Sequence, residues 1–391
     1  MYKLTIKKKY VITSLLIFFF HAAPGTIIPI FNLIFREKGV SLEQIGFLLL
    51  MPRIFSIFSS PLWAGIADAF QLHKRLLPLV MALTIPLAGA IYFAQGFVSI
   101  LIWFSIYSFF FAPLIPLTDN AVLDVMGEHS NDYGKIRVFG AISWGLAAWL
   151  AGVVADMYGI NLTLWLYVIF ISIAMVISLL MPESPQIEVV PFWKSLRIVT
   201  KDTRWIGLLS GAIFGGYGQI LMINYIALYL RDLGASVSFI GLTTTVSTIS
   251  EVPIFLLAPR LLERFDKKKV IQVALLGLLL RCALLAVIKV PYPAIFIQML
   301  SSLSYALFWI TNVAYVREIV PVGFNASGQA LIHGMYMGVG GMLGTLAGGF
   351  IYEAIGPSML FFSGALAAGI GILLVGLLLN SKPAPSGETA H

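Results

Sequence analysis

SSPLWAGIADAFQLHKR (residues 59–75) and LLAPRLLERFDKKK (residues 256–269) decide how this chain is organised. In each, a proline stands seven residues before an aspartate: Pro61 before Asp68, and Pro259 before Asp266. The copies are offset by 198 residues, and each ends in a basic cluster. A chain of 391 residues that repeats a loop at half its length reads as a duplication, and the composition says of what. Hydrophobic residues make up 59% and charged residues 11%, whereas a soluble domain carries about a quarter of its residues as charges. The chain is a membrane protein.

A hydrocarbon layer of about 30 Å takes roughly 20 apolar residues to cross as a helix. Twelve stretches qualify, at 10–35, 43–67, 76–95, 98–123, 135–157, 160–181, 205–230, 238–262, 270–288, 292–316, 326–353 and 357–379. No period-2 alternation suggests a barrel, and unpaired backbone cannot face lipid, so an all-α fold is expected. Of the 25 Lys and Arg residues, 19 fall at the N-terminus, in every second loop and at the C-terminus, 4 lie on the opposite side, and Arg53 and Arg281 lie within spans. That distribution puts both termini in the cytoplasm, and it accounts for the net charge of +7 without nucleic acid. Lys7-Lys8-Lys9 before VITSLLIFFFHAA imitates a signal peptide, but the apolar run continues to Phe35, so it reads as the first helix. The single cysteine, Cys282, permits no intramolecular disulfide. A charged, proline-bearing connector, PESPQIEVVPFWKSLRIVTKDTR, separates spans six and seven. The expected organisation is an N-terminal six-helix bundle (1–181), a cytoplasmic linker (182–204), a C-terminal bundle (205–380) and a disordered tail (381–391). Parallel repeats of this kind are one construction of secondary transporters, with the binding site between the halves.

A charge near mid-bilayer costs about 2.5–3.5 kcal/mol on insertion scales, so each one is a candidate for function. Asp119 follows Pro113 and Pro116 in PLIPLTDNAVLD, and Arg137 enters from the same side on the next helix, in YGKIRVFGAISWG (133–145). An Asp–Arg pair is expected there, with Tyr133 and Gly134 forming a turn and Lys135 serving topology. Trp144 lies two turns beyond Arg137 on the same face, so guanidinium and ring would together cradle a hydroxyl-rich or aromatic ligand. In the second half, Glu251 and Arg281 sit on neighbouring spans, and protonation of Glu251 would release Arg281, an elementary switch for proton coupling. At the 198-residue offset Arg53 aligns with Glu251, a cation in the place of an anion. Arg53 would meet an anionic substrate or pair with Asp119. His21 and His333 are weaker cases, and Asp124, Arg317 and Glu318 read as structural charges near helix ends.

PLWAGIADAFQLHKR resembles the signature loop between helices two and three of the major facilitator superfamily, with Asp68 at the place of its aspartate and Lys74 and Arg75 at its basic end; Asp68 and Arg53 are expected to act in gating or conformational change. YGKIRVFGAISWGLAAWLAG resembles the start of helix five in the lactose permease group and the related nucleoside and phenylpropionate proton symporters. The resemblance implies twelve helices in two pseudo-symmetric bundles and alternating access to a central cavity. It also implies that Asp119, Arg137 and Trp144 bind substrate and that Arg281 stands at the helix-nine arginine. The chain departs from the group at helix ten, where Ser301, Ser304, Tyr305, Trp309 and Asn312 replace a histidine and a glutamate. At helix seven, Tyr217, Gln219, Asn224 and Tyr225 stand in place of two aspartates. Tyr217, Trp309 and Asn312 join the substrate candidates, and a neutral, polar-aromatic second half suits nucleosides, glycosides or aromatic compounds as well as disaccharides.

No P-loop points to ATP, no HExxH or histidine cluster points to a metal, and no nucleophile elbow points to an enzyme. The expected protein is a monomeric, multi-pass transporter of the bacterial inner membrane that carries a small ring-bearing solute with protons. It is expected to need no cofactor beyond the proton gradient. The rival readings are an exporter of drugs or metabolites, or a lipid-handling or non-transporting sensor protein on the same scaffold.

Overall fold

The computed structural model describes residues 5–56, 59, 62, 63, 73–127, 129, 133–181, 203–319 and 325–379. Asp68, most of the expected linker 182–204 and the tail 381–391 lie outside the described residues.

Every regular element among the described residues is helical. The first half holds α1 (Ile6–Ile27), α2 (Phe31–Glu37), α3 (Leu42–Leu48), α4 (His73–Phe93), α5 (Gly96–Phe111), α6 (Leu114–Met126), α7 (Tyr133–Tyr158) and α8 (Thr163–Leu179). The second holds α9 (Thr203–Asn224), α10 (Ile226–Asp232), α11 (Val237–Arg264), α12 (Lys267–Val287), α13 (Ala294–Met299), α14 (Leu307–Ile319), α15 (Asn325–His333), α16 (Gly341–Ala354) and α17 (Pro357–Leu378). Among the described residues, 11 helical stretches are long and apolar enough to cross a membrane. They answer to eleven of the expected stretches, for example Tyr133–Tyr158 to 135–157 and Pro357–Leu378 to 357–379. The expected stretch 43–67 is helical at Leu42–Leu48 and over 51–56, and several of its later residues lie outside the described set.

Two helix ends repeat one another. FREKGVS (35–41) closes α2 and LRDLGAS (230–236) closes α10, and in each a glycine takes a positive φ, +77° at Gly39 and +88° at Gly234. Glycine reaches that region without a Cβ penalty, which lets the chain fold back on the helix end. The amide of Val40 donates to the Phe35 carbonyl at 3.1 Å, and that of Ala235 to the Leu230 carbonyl at 2.9 Å. The serine that follows caps the next helix in both copies. Ser41 Oγ accepts from the Gln44 amide at 3.3 Å, and Ser236 Oγ accepts from the Phe239 amide at 3.2 Å.

By contacts the chain forms two compact units. The first comprises Met1–Ile187, Ile223–Val252 and Lys289–Gln298. Within it α1 packs along α7 and α8, and α4 along α8 and α5. Phe31, Phe35, Phe104, Tyr107 and Tyr167 are buried together, with the Tyr167 hydroxyl 2.9 Å from Thr84 Oγ1. Lipid tails are as apolar as leucine, so close van der Waals fit holds such helices together, and small residues at the crossing provide it. Along the seam between α7 and α11, a Cβ at Gly152 would lie 2.5 Å from the Val237 carbonyl oxygen, and one at Gly241 would strike the Ala148 carbonyl.

The second unit comprises Glu188–Met222, Pro253–Ile288 and Met299–His391. Here α12 packs along α17, and Trp205, Leu208, Ile271, Leu275, Phe308, Tyr336 and Val375 form a buried core. Two stretches widen into π-helix, Ser302–Ala306 and Gly334–Gly340. Such turns are rare and occur often at functional sites.

Candidate functional site

In the first unit the polar residues of three helices meet. The turn at residues 112 and 113 lets α6 begin afresh at Leu114 and carries Asp119 into the span. Its Oδ1 is enclosed and has no hydrogen-bond partner. The Tyr133 side chain hydrogen bonds to the same carboxyl group, and the charge of Arg137, one turn further along α7, acts on it. Tyr133 is therefore the first residue of α7 and a neighbour of the candidate site, not part of a turn as the sequence suggested. The fourth member comes from α1. His21 is 4% exposed, and its Nδ1 lies 2.9 Å from the Ile17 carbonyl oxygen. Its ring meets Phe20 edge-on, and its Nε2 is enclosed without a partner. Gly140 makes the room that these groups share, since a Cβ there would lie 2.6 Å from Arg137 Nη1 and 3.1 Å from the His21 ring. Trp144 is half-buried two turns beyond Arg137, and its backbone closes on Gly25 of α1. The structure thus brings Asp119, Tyr133, Arg137 and His21 together in the first unit, with Trp144 two turns further along α7. Glu251 is buried on α11 in the same unit, and Arg53 is half-buried in the helical stretch 51–56.

The second unit holds a neutral, aromatic set. Arg281 is 2% exposed and donates from Nη1 to Ser304 Oγ at 3.3 Å, a hydroxyl within the first π-helical turn. Trp309 stacks on Tyr305 at 6.3 Å between ring centroids and meets His333 edge-on at 5.5 Å. Asn312 donates from Nδ2 to the Phe308 carbonyl at 2.7 Å, which leaves its Oδ1 enclosed without a partner, as is Gln219 Oε1. The Tyr217 hydroxyl is 2.9 Å from Ser363 Oγ. Glu318 pairs with Lys267, which gives it the structural part expected of it. Among the described residues no group of three or more His, Cys, Asp or Glu side chains could hold a metal.

Sequence reasoning passed over Tyr133 and ranked His21 low, because neither residue type is a motif by itself. Buried polar groups in proteins are nearly always hydrogen-bonded, so each enclosed acceptor without a partner calls for a physical explanation. Asp119 Oδ1 and His21 Nε2 are two such acceptors in the cluster around Arg137.

The sequence profile of the MFS_1 like family matches residues 10–363. A maltose permease of Geobacillus stearothermophilus is 26% identical over 381 residues, covering 95% of this chain and 94% of that protein. A protein of Escherichia coli (strain K12) named "Probable 3-phenylpropionic acid transporter" is 25% identical over 379 residues, covering 93% of this chain and 94% of its own length. Among solved structures, the nucleoside transporter NupG superposes with a TM-score of 0.80 at 18% identity, over 97% of this chain and 100% of that one, so the fold is similar. These relatives are transporters and not enzymes.

Proposed function

The chain belongs to the MFS_1 like family, and from that premise we propose that it is a secondary active transporter that carries a small ring-bearing organic solute together with protons by alternating access. The solute is a sugar, glycoside, nucleoside or aromatic acid, the chemistry that the names of the maltose, phenylpropionic acid and nucleoside transporters span. The observation that carries this reading is the cluster of Asp119, Tyr133, Arg137 and His21 on otherwise apolar helices of the first unit. Ionisable groups are expensive in a bilayer and mark substrate and proton paths when they are kept there.

Arg137 offers a forked donor to a ring hydroxyl or carboxylate, Asp119 accepts from a hydroxyl, and Trp144 supplies a flat apolar face. Tyr217, Trp309 and Asn312 line the substrate's path with neutral polar and aromatic groups. Glu251 carries the coupled proton, with Asp119 as the second carboxyl group in the exchange. Arg281, held by Ser304, is the fixed cation of the second half. Arg53 and Asp68 act in gating. Twelve spans in two six-helix bundles, at 1–181 and 205–380, place both termini in the cytoplasm, in the inner membrane of a bacterium. The protein acts as a monomer, and the proton gradient is its only energy source.

The test is uptake of labelled maltose, uridine and 3-phenylpropionate into proteoliposomes under an imposed pH difference. Accumulation of one of them that collapses when the gradient is dissipated, and that Glu251→Gln abolishes, supports the reading. Accumulation by Glu251→Gln equal to that of the parent protein would overturn the coupling assignment, and outward movement of the solute would make the protein an exporter.

A further inference from the structure

We infer that His21 is the positioning residue for Arg137, a second acceptor to which the guanidinium transfers when Asp119 is occupied. This rests on the proposal that Asp119 and Arg137 form the binding site, but not on any particular solute.

The imidazole is oriented by its own helix. Its Nδ1 lies 2.9 Å from the Ile17 carbonyl oxygen, and a carbonyl only accepts, so Nδ1 carries the hydrogen. In the neutral ring the other nitrogen, Nε2, is then a bare lone pair, and it is enclosed without a partner. Two side chains of the cluster can donate to it. The Tyr133 hydroxyl is taken up by the Asp119 carboxyl group. The Arg137 guanidinium, with five N–H groups on a flexible stem, remains.

Geometry places that donor within reach of the change. Arg137 Nη1 and the His21 ring border the same spot above Gly140, where only the missing side chain leaves room for both. The guanidinium thus shares this spot with the Cγ–Nδ1 edge of the His21 ring on α1 while the charge of the Asp119 carboxyl group on α6 acts on it, and a side-chain rotation would carry it on to Nε2. While Asp119 is ionised, its charge attracts the guanidinium. Once a proton neutralises the carboxyl group, or a solute hydroxyl fills it, that attraction weakens. Nε2 then offers an unmet acceptor inside a layer where an unpaired donor is costly. Because α1 packs along the length of α7, the exchange passes the occupancy of Asp119 to a helix that does not carry it.

The test needs no substrate. The purified protein, labelled with 15N-histidine and held in lipid nanodiscs, gives imidazole signals for its five histidines. The signal lost in His21→Gln belongs to His21. The expected spectrum has a protonated Nδ1 and a bare Nε2 at His21. In Asp119→Asn, which mimics the neutral carboxyl group, the bare-nitrogen signal moves upfield as it accepts a hydrogen bond, and adding Arg137→Gln reverses the move. A bare Nδ1 in the parent protein, or a signal that stays in place in Asp119→Asn, overturns the inference. Should Asp119→Asn fail to fold, Asp119→Ser serves in its place, with the same upfield move expected and the same reversal by Arg137→Gln, and an unmoved signal again overturns it. Uptake supplies a second readout. His21→Leu lowers the maximal rate about tenfold, the scale of one hydrogen bond, with little change in KM, whereas His21→Gln keeps an acceptor and restores it. Equal rates for the two variants overturn the inference. If no probe solute is taken up by the parent protein, the transport proposal fails while the nitrogen spectrum still decides this one.

Discussion

Helix α7 passes through two environments, and the contrast separates scaffold from site. Toward its C-terminal end it meets α11 through polar groups that have partners. Thr245 Oγ1 donates to the Gly145 carbonyl at 2.7 Å. Asp156 accepts from the amides of Val237 and Ser238 at 2.9 and 2.8 Å, one on each carboxylate oxygen. Gly152 and Gly241 bring the two backbones together between these bonds. At its N-terminal end the same helix carries Tyr133 and Arg137 beside two enclosed acceptors that lack partners. A fully met seam is packing. A cluster with unmet acceptors in an apolar layer is a place kept for a proton or a solute.

The strongest way to break that contrast is to remove its centre. Arg137→Ala should abolish charge-assisted hydrogen bonds of about 1.5–3 kcal/mol, which lowers uptake roughly tenfold to a hundredfold, while the thermal unfolding temperature in detergent hardly changes. Arg137→Lys keeps the charge but loses the fork, so it should recover only part of the activity. If Arg137→Ala instead unfolds the protein, the cluster is scaffold and the contrast fails.

The seam should respond in the opposite sense. Gly241→Leu forces a side chain into the Ala148 carbonyl, and overpacking of this kind costs about 1–3 kcal/mol, read as a lower unfolding temperature. Asp156→Ala removes the acceptor for two amides at the start of α11, with an expected cost of about 0.5–2 kcal/mol by analogy with helix caps. Asp156→Asn should recover part of that, since one side-chain oxygen remains. A normal unfolding temperature with lost uptake in Asp156→Ala would put the seam among the moving parts.

Most of the spans were legible, because a run of about 20 apolar residues has few other uses. Asp119 and Arg137 were legible too, as charges where charges are costly. His21, Tyr133 and the α7–α11 seam were not. Gly145 and Thr245 stand 100 residues apart in the chain, and nothing in the local pattern of either announces the other. The repeated helix ends were missed for a different reason. FREKGVS and LRDLGAS share only the arginine, the glycine and the serine, and their offset of 195 differs from the 198 of the loop repeat, so no single alignment displays both. Backbone shape connects them: a positive φ at Gly39 and Gly234, then a serine cap.

Those repeated ends also give the finest test of the contrast. Arg36 of the first copy pairs with Asp232 of the second at 2.6 Å, with side chains 43% and 34% exposed. Its short distance suggests a strong lock, but its exposure argues otherwise. Ion pairs in contact with water contribute about 0.2–1 kcal/mol, and salt weakens them further as the Debye length falls to about 8 Å near physiological ionic strength. A double-mutant cycle with Arg36→Ala and Asp232→Ala, measured by thermal unfolding at low and high salt, should therefore give a small coupling that fades with salt. A coupling well above that range and insensitive to salt would mean that the met seam of α7 and α11 extends into the α2 and α10 ends as one rigid body. The boundary between scaffold and site would then have to be drawn by helix and not by the state of each polar group.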